Sequence, residues 1–102
     1  MYRAGAERDE EDSLAALQAV ADRLDLDSEA RSVAQELYLS QLPATERSKD
    51  GLLAASVYAG SLVAGDQRSQ TAVAEAAGVS RLTVQSKWRN LLEEAGFEPP
   101  AW

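Results

Sequence analysis

The sequence predicts an all-α protein of five helices, the last two of which form a helix-turn-helix. Apolar residues recur at helical spacing in five successive stretches. No stretch alternates polar and β-branched residues, and no Asn-Gly or Asp-Gly pair separates two strand-like runs. A chain of 102 residues, 45% of them hydrophobic, can build one hydrophobic core but is too short for two.

The chain begins with a charged segment that shows no apolar periodicity. We therefore expect residues 1–12 to form a flexible acidic tail. The first helix is predicted to begin at Asp12 or Ser13, because either side chain can cap the free N–H groups of a helix start. Its buried face is expected to consist of Leu14, Leu17, Val20, Ala21 and Leu24.

Two more helices are predicted in the middle of the chain. Asp27 or Ser28 can cap the second helix, which ends near Pro43. The third begins at Ser48 and runs to Gly65, which suits the left-handed position after a helix end. It is the most continuously apolar helix and is lined by small residues, so we expect it to be central. Residues predicted to be buried in these two helices include Val33, Leu37, Leu53, Ala55 and Ala59.

The last two helices are joined by a short turn. Ser69 is placed to cap a fourth helix from Gln70 to Ala77, and Ser80 to cap a fifth. Helices joined by about three residues cross steeply, which requires a small residue where they touch and a glycine in the turn. Ala74 and Gly78 occupy these places. The alternative is a tight helical corner inside an ordinary bundle.

The fifth helix has an apolar face and a polar face. With Val73 of the fourth helix, its core-facing residues are predicted to be Val84, Trp88, Leu91 and Leu92. The polar face carries side chains that can reach bases or phosphates, since glutamine pairs with adenine and arginine with guanine. These residues are Arg81, Thr83, Gln85, Ser86 and Arg89.

Charge is divided unevenly along the chain. Residues 1–64 hold 12 acidic and 6 basic residues, whereas residues 65–92 hold 2 acidic and 4 basic residues. The only stretch with an excess of positive charge therefore contains the predicted helix-turn-helix, as expected of a nucleic-acid contact. The acidic, lysine-poor composition is similar to that of proteins from salt-loving archaea, whose solvent screens charge repulsion. The alternative is an acidic bacterial protein.

The composition excludes several kinds of site. Without Cys or His, the chain lacks disulfides, thiolate and imidazole catalytic groups and the usual zinc ligands. No Gly-rich phosphate loop or nucleophile elbow occurs, so we expect no enzyme, no cofactor and no metal. The longest apolar stretch, Leu52–Val63, is shorter than the ~20 residues of a membrane span, and the N-terminus lacks an apolar signal segment. We expect a cytoplasmic protein.

Three segments carry a resemblance to a known family: LDLDSEARSVAQELY, ERSKDGLLAASVYAGSLVAGDQRS and AVAEAAGVSRLTVQSKWRNLLEE. Together they resemble one cyclin-type repeat of transcription factor IIB and archaeal transcription factor B, and the last is most similar to the second repeat. The resemblance covers residues 13–96, leaving residues 97–102 as a C-terminal tail. The chain carries neither the cysteines of the family's zinc ribbon nor another repeat.

The resemblance implies a five-helix cyclin-like fold whose helix-turn-helix reads promoter DNA beside the TATA box. The implied base-reading residues are Leu82 and Gln85, and Arg68 of the preceding loop is implied as a phosphate contact. The implied neighbours of the base-reading residues are Ser80, Arg81, Thr83, Ser86 and Arg89. Double-stranded promoter DNA is the implied partner, together with TATA-binding protein or another transcription protein. The alternative function is a cyclin-fold module that binds proteins without contacting DNA, since the acidic first half suits a basic partner.

Overall fold

A computed structural model describes residues 4–41 and 49–96 of the protein. These residues form five α-helices and, within the described ranges, no strand, which confirms the all-α prediction. The helices are α1 (Ala4–Leu24), α2 (Ser28–Ser40), α3 (Lys49–Val63), α4 (Gln70–Ala77) and α5 (Arg81–Glu94).

The first helix begins earlier than predicted. It starts at Ala4 rather than at Asp12 or Ser13, so residues 4–12, predicted as a flexible tail, are helical. Alanine and glutamate are strong helix formers, and a charged segment without apolar periodicity can therefore extend a helix that is anchored further along. Pro43, Ser48 and the predicted tail 97–102 lie outside the described residues.

The predicted N-caps are confirmed at three helices. The Asp27 carboxylate accepts a hydrogen bond from the Ala30 N–H at 2.8 Å. Ser69 Oγ accepts from the Ala72 N–H at 3.0 Å, and Ser80 Oγ accepts from the Thr83 N–H at 3.2 Å. Each cap satisfies an N–H that has no partner inside its own helix, so local sequence fixes where α2, α4 and α5 begin.

The core is built around α3, as the sequence predicts. Every α3 residue from Leu53 to Ser61 is buried, and the small side chains let other helices approach closely. This helix is 15 residues long, and no helix of the described ranges is long and apolar enough to cross a membrane. The residues that were predicted in the core and are found buried are Leu17, Val20, Ala21, Leu37, Leu53, Ala55, Ala59, Val73, Val84, Trp88, Leu91 and Leu92.

A few positions on the predicted faces are less buried than expected. Val33 is only partly buried, because it lies at the edge of the stripe formed by Ala30, Ala34 and Leu37 on α2. In α1, Leu17, Val20 and Ala21 are buried, whereas the predicted face residues Leu14 and Leu24 are half-buried.

Helices α2 and α3 approach each other closely at Gly60. A β-carbon at this position would lie 2.7 Å from the backbone nitrogen of Ala34 and 2.9 Å from its Cα. Gly51, near the start of the same helix, differs in what surrounds it. There a β-carbon would lie 2.9 Å from Cε of the flexible Lys87 side chain and 2.9 Å from Cγ2 of Thr83. Thr83 is β-branched, and its rotation would break the contact between its hydroxyl and Ser80 Oγ, so only Lys87 can move at little cost.

Gly60→Ala should therefore destabilise the protein more than Gly51→Ala, because a backbone cannot move aside as a side chain can. Overpacking against a backbone costs roughly 1–3 kcal/mol. Replacing a helical glycine by alanine gains about 1 kcal/mol. The net loss for Gly60→Ala should be up to about 2 kcal/mol in the free energy of unfolding, measured by urea denaturation. Equal changes in the two variants would contradict the close α2–α3 contact.

Candidate nucleic-acid interface

The turn between α4 and α5 is tightly specified. It comprises Gly78, Val79 and Ser80, and Gly78 has a φ of 75° in the left-handed region that glycine tolerates. The Val79 N–H donates to the Ala74 carbonyl at 3.0 Å, which is the hydrogen bond expected of a glycine-terminated helix. We call residues 70–94 the α4–α5 unit. The hydrogen bonds of the turn and the Ser80 cap fix the direction in which α5 leaves α4.

The two faces of α5 are separated as predicted. Val84, Trp88, Leu91 and Leu92 are buried against the core. The opposite face, which we call the outer face, exposes Leu82 at 66% of its surface, and Thr83 at its edge is half-buried. Its other exposed members are Arg81, Gln85, Ser86 and Arg89. The structure therefore brings seven of the eight predicted site residues onto the first three turns of α5 and its cap.

Hydroxyl groups at the start of α5 are engaged within the helix. Ser80 Oγ lies 2.9 Å from Thr83 Oγ1 and also accepts the Thr83 N–H. The Ser86 hydroxyl donates to the Thr83 carbonyl at 3.2 Å. Ser80 therefore holds the helix start, which makes its contribution to any interface mainly structural.

The charged side chains of the outer face make local contacts. Arg81 Nη1 donates to Gln85 Oε1 at 3.2 Å and reaches Gln70 Oε1 of α4 at 3.5 Å, the outer limit of a hydrogen bond. The Arg89 guanidinium lies 5.1 Å from the centre of the Trp88 ring, in range of a cation–π contact. Both arginines are exposed.

Trp88 is a core residue, as predicted. Its ring meets Tyr58 edge to face, with ring centres 5.4 Å apart and planes inclined by 73°. Only 4% of its surface is exposed. The Trp88 ring is therefore not available to stack on a base.

Arg68 does not lie on the outer face. Its guanidinium donates to the carbonyls of Leu24 and Asp25 at 3.0 and 3.1 Å, which joins the α3–α4 loop to the end of α1. It also pairs with the Asp66 carboxylate at 2.7 Å. Because these contacts occupy the guanidinium, we do not include Arg68 among the proposed DNA contacts.

Asp66 also joins the α3–α4 loop to the segment between α1 and α2. It was not among the residues predicted from the sequence to be functional. Its carboxylate accepts the backbone N–H of Asp27 at 3.0 Å. This hydrogen bond and the Arg68 guanidinium lower the pKa of the Asp66 carboxyl below its usual value, because both favour its charged form. The two-residue spacing of Asp66 and Arg68 was the available signal, but their partner loop could not be identified from it.

A surface depression lies beside the outer face, mainly between α3 and α5. Ser86 belongs to both surfaces. None of the other residues that line the depression was predicted from the sequence to be functional. These residues are Gln41, Leu52, Lys87, Asn90, Leu91 and Glu94. Three of these residues could have been grouped from the sequence by their helical spacing. Lys87, Asn90 and Glu94 recur every three or four residues along one side of α5.

Comparison with known proteins places these helices in a family. The family model of the transcription factor TFIIB repeat matches residues 7–94. Transcription initiation factor IIB of Pyrococcus horikoshii is 36% identical over 84 residues, which cover 78% of this chain and 28% of that protein. The Archaeoglobus fulgidus protein of the same name is 38% identical over 52 residues, covering 51% of this chain and 16% of that protein.

The chain spans little more than a quarter of the length of the Pyrococcus relative, consistent with one repeat. The matched family consists of transcription factors rather than enzymes, and its repeat has a cyclin-like all-α fold. The α1–α5 bundle and the family match agree on the extent and class of this repeat. The chain therefore belongs to the transcription factor TFIIB repeat family, as a transcription-associated cyclin-like fold.

Proposed function

We propose that this chain binds double-stranded promoter DNA, with the α4–α5 unit acting as a helix-turn-helix and α5 lying in the major groove. The observation that carries this proposal is the outer face of α5. It combines a leucine with 66% of its surface exposed, polar side chains and two exposed arginines on one side of a rigidly oriented helix. An α-helix fits the major groove, where the four base pairs present different patterns of donors, acceptors and methyl groups.

Leu82 supports a contact with bases. Leu82 is more exposed than the other exposed large hydrophobic residues of the described ranges, at 66% against 40% for Leu39 and Val63. It projects from the first turn of α5, where a recognition helix approaches base edges. Thymine is the base that presents a methyl group in the major groove. Leu82 is therefore proposed to contact a thymine methyl.

The distribution of charge supports a contact with the phosphate backbone. Arg81 and Arg89 lie near opposite ends of the outer face, in the stretch of the sequence that carries an excess of positive charge. Contacts with phosphate orient a protein on the duplex and supply most of its sequence-independent affinity. The family membership adds a transcription-machinery context, and TATA-binding protein or another transcription protein is proposed as the accompanying partner.

The direct test is selection of binding sites from random duplex DNA, followed by affinity measurements over a series of salt concentrations. We expect enrichment of one sequence and an affinity that decreases steeply with salt, because counterions are released from DNA on binding. The acidic composition predicts a salt-adapted protein, so folding should be checked by circular dichroism at each concentration.

The outer face can be tested with a matched pair of leucines. Leu82→Ala should reduce the preference for thymine at one position by about fourfold, which corresponds to ~0.8 kcal/mol for one buried methyl group. Leu39→Ala is the control, since Leu39 is also exposed, at 40%, but lies on α2. If the wild-type protein enriches no sequence, the DNA-binding proposal fails and the protein-interaction alternative becomes the better account.

A further inference from the structure

The side chain of Arg81 is held in place from two helices. Its Nη1 donates to Gln85 Oε1, one turn further along α5, and reaches Gln70 Oε1 at the start of α4. Both contacts involve the same nitrogen. Within the described part of the chain, Nε and Nη2 have no hydrogen-bond partner, so the edge of the guanidinium that carries them lacks a protein acceptor.

This edge has the geometry of a guanine reader. Nε–H and one Nη2–H are parallel donors, and guanine presents two adjacent acceptors, O6 and N7, in the major groove. A long arginine side chain that is fixed before binding loses less conformational freedom when it meets its target. The contacts from Gln85 and Gln70 supply such fixation.

The same geometry changes the role expected of Gln85. A glutamine that reads adenine uses its amide oxygen to accept from N6 and its amide nitrogen to donate to N7. In this structure the Gln85 oxygen already accepts from a cationic donor, and charge-assisted hydrogen bonds are stronger than neutral ones. Releasing it to bind adenine would leave Arg81 less well held.

We propose that Arg81 reads a guanine in the major groove and that Gln85 is a positioning residue that holds the Arg81 guanidinium for this contact. The inference rests on the proposed DNA-binding function and specifies which base is read and by which residue. Arg81 then determines the preference for guanine at the base position that it contacts. Gln85 affects this preference by holding Arg81.

The test uses the sequence that the wild-type protein selects, with variants compared at one salt concentration. Arg81→Met removes every side-chain donor, whereas a lysine at this position could still donate to guanine O6 and N7. Arg81→Met should reduce the preference for guanine at one position by about fivefold or more, the lower end of the discrimination expected from a bidentate contact. Arg89→Met, on the same helix and with the same loss of charge, is the control and should leave that preference unchanged.

Modified DNA identifies the atoms involved. Replacing the selected guanine by 7-deazaguanine removes the N7 acceptor and keeps base pairing. Wild-type protein should lose affinity for this duplex by about fivefold or more. Arg81→Met should bind the modified and unmodified duplexes almost equally.

Two substitutions of Gln85 separate positioning from direct reading. Gln85→Met removes the acceptor at similar size and should weaken the guanine preference at the Arg81 position. Gln85→Glu retains an acceptor for Arg81 and should preserve that preference, although its charge lowers the overall affinity for DNA. Loss of an adenine preference at a different position in Gln85→Met, with the guanine preference intact, would overturn the positioning role.

The outcomes distinguish this inference from the proposed function. If the wild-type protein selects a sequence but Arg81→Met retains full guanine preference, the inference is wrong and DNA binding stands. If the wild-type protein selects no sequence, the proposed function fails first. Circular dichroism of each variant confirms that differences arise in folded protein.

Discussion

Replacing Trp88 by alanine is expected to lower the free energy of unfolding by about 3–5 kcal/mol, the range for truncating a large aromatic residue in a core. Trp88 is 4% exposed and packs edge to face on Tyr58 of α3, so its ring joins α5 to the central helix. Natural domains are stable by about 5–15 kcal/mol, so this change would remove a large share of the total.

The measurement is urea denaturation followed by far-ultraviolet circular dichroism. The neighbouring variant Arg89→Ala is a matched control, since it removes only the cation–π contact with the same ring. Exposed contacts of this kind contribute about 0.5–1 kcal/mol. If Trp88→Ala were no more destabilising than Arg89→Ala, packing of the Trp88 ring could not be the main contact that stabilises α5 against α3.

Features that depend on neighbouring residues were predictable from the sequence. The caps at Asp27, Ser69 and Ser80 each connect a side chain to a backbone N–H three residues later, so short-range chemistry determines them. The apolar face of α5 followed from helical periodicity alone, because residues three or four positions apart share a face. These local rules were sufficient to predict the α4–α5 unit.

Features that depend on distant segments were not predictable in the same way. Arg68 is implied as a phosphate contact by the family resemblance, but the local sequence does not indicate which groups it meets in the fold. Its actual partners, the carbonyls of Leu24 and Asp25, are more than forty residues away in the sequence. Only the packing of α1 against the α3–α4 loop brings these groups together.

The start of α1 illustrates a different limit. Periodicity of apolar residues detects a helix only where one of its faces is buried. Residues 4–12 belong to α1 but show no apolar stripe in the sequence, so this signal is absent there. Intrinsic helix propensity is the remaining signal there, and on its own it is a weak indicator of a helix.

Neutralising Arg81 and Arg89 together is expected to reduce the affinity for DNA more than neutralising any other pair of arginines in the described residues. Hydrogen bonds to charged groups are worth about 1.5–3 kcal/mol, which corresponds to roughly tenfold or more in affinity for each arginine at low salt. Arg89 is proposed to contact phosphate, and the charge of Arg81 lies on the same outer face. The slope of log affinity against log salt should therefore decrease in magnitude by about one to two.

The variant Arg81→Gln/Arg89→Gln is best compared with Arg23→Gln/Arg31→Gln, which removes the same charge from the acidic half of the chain. Arg23 donates to the Ala76 carbonyl, and Arg31 pairs with Asp22 at 2.6 Å, so this control should lose stability rather than affinity. Titration of labelled duplex at several salt concentrations, with the folded fraction measured in parallel, separates the two effects. Equal losses of affinity from both double variants would mean that attraction to DNA depends on net charge alone, and α5 would then have no special place in binding.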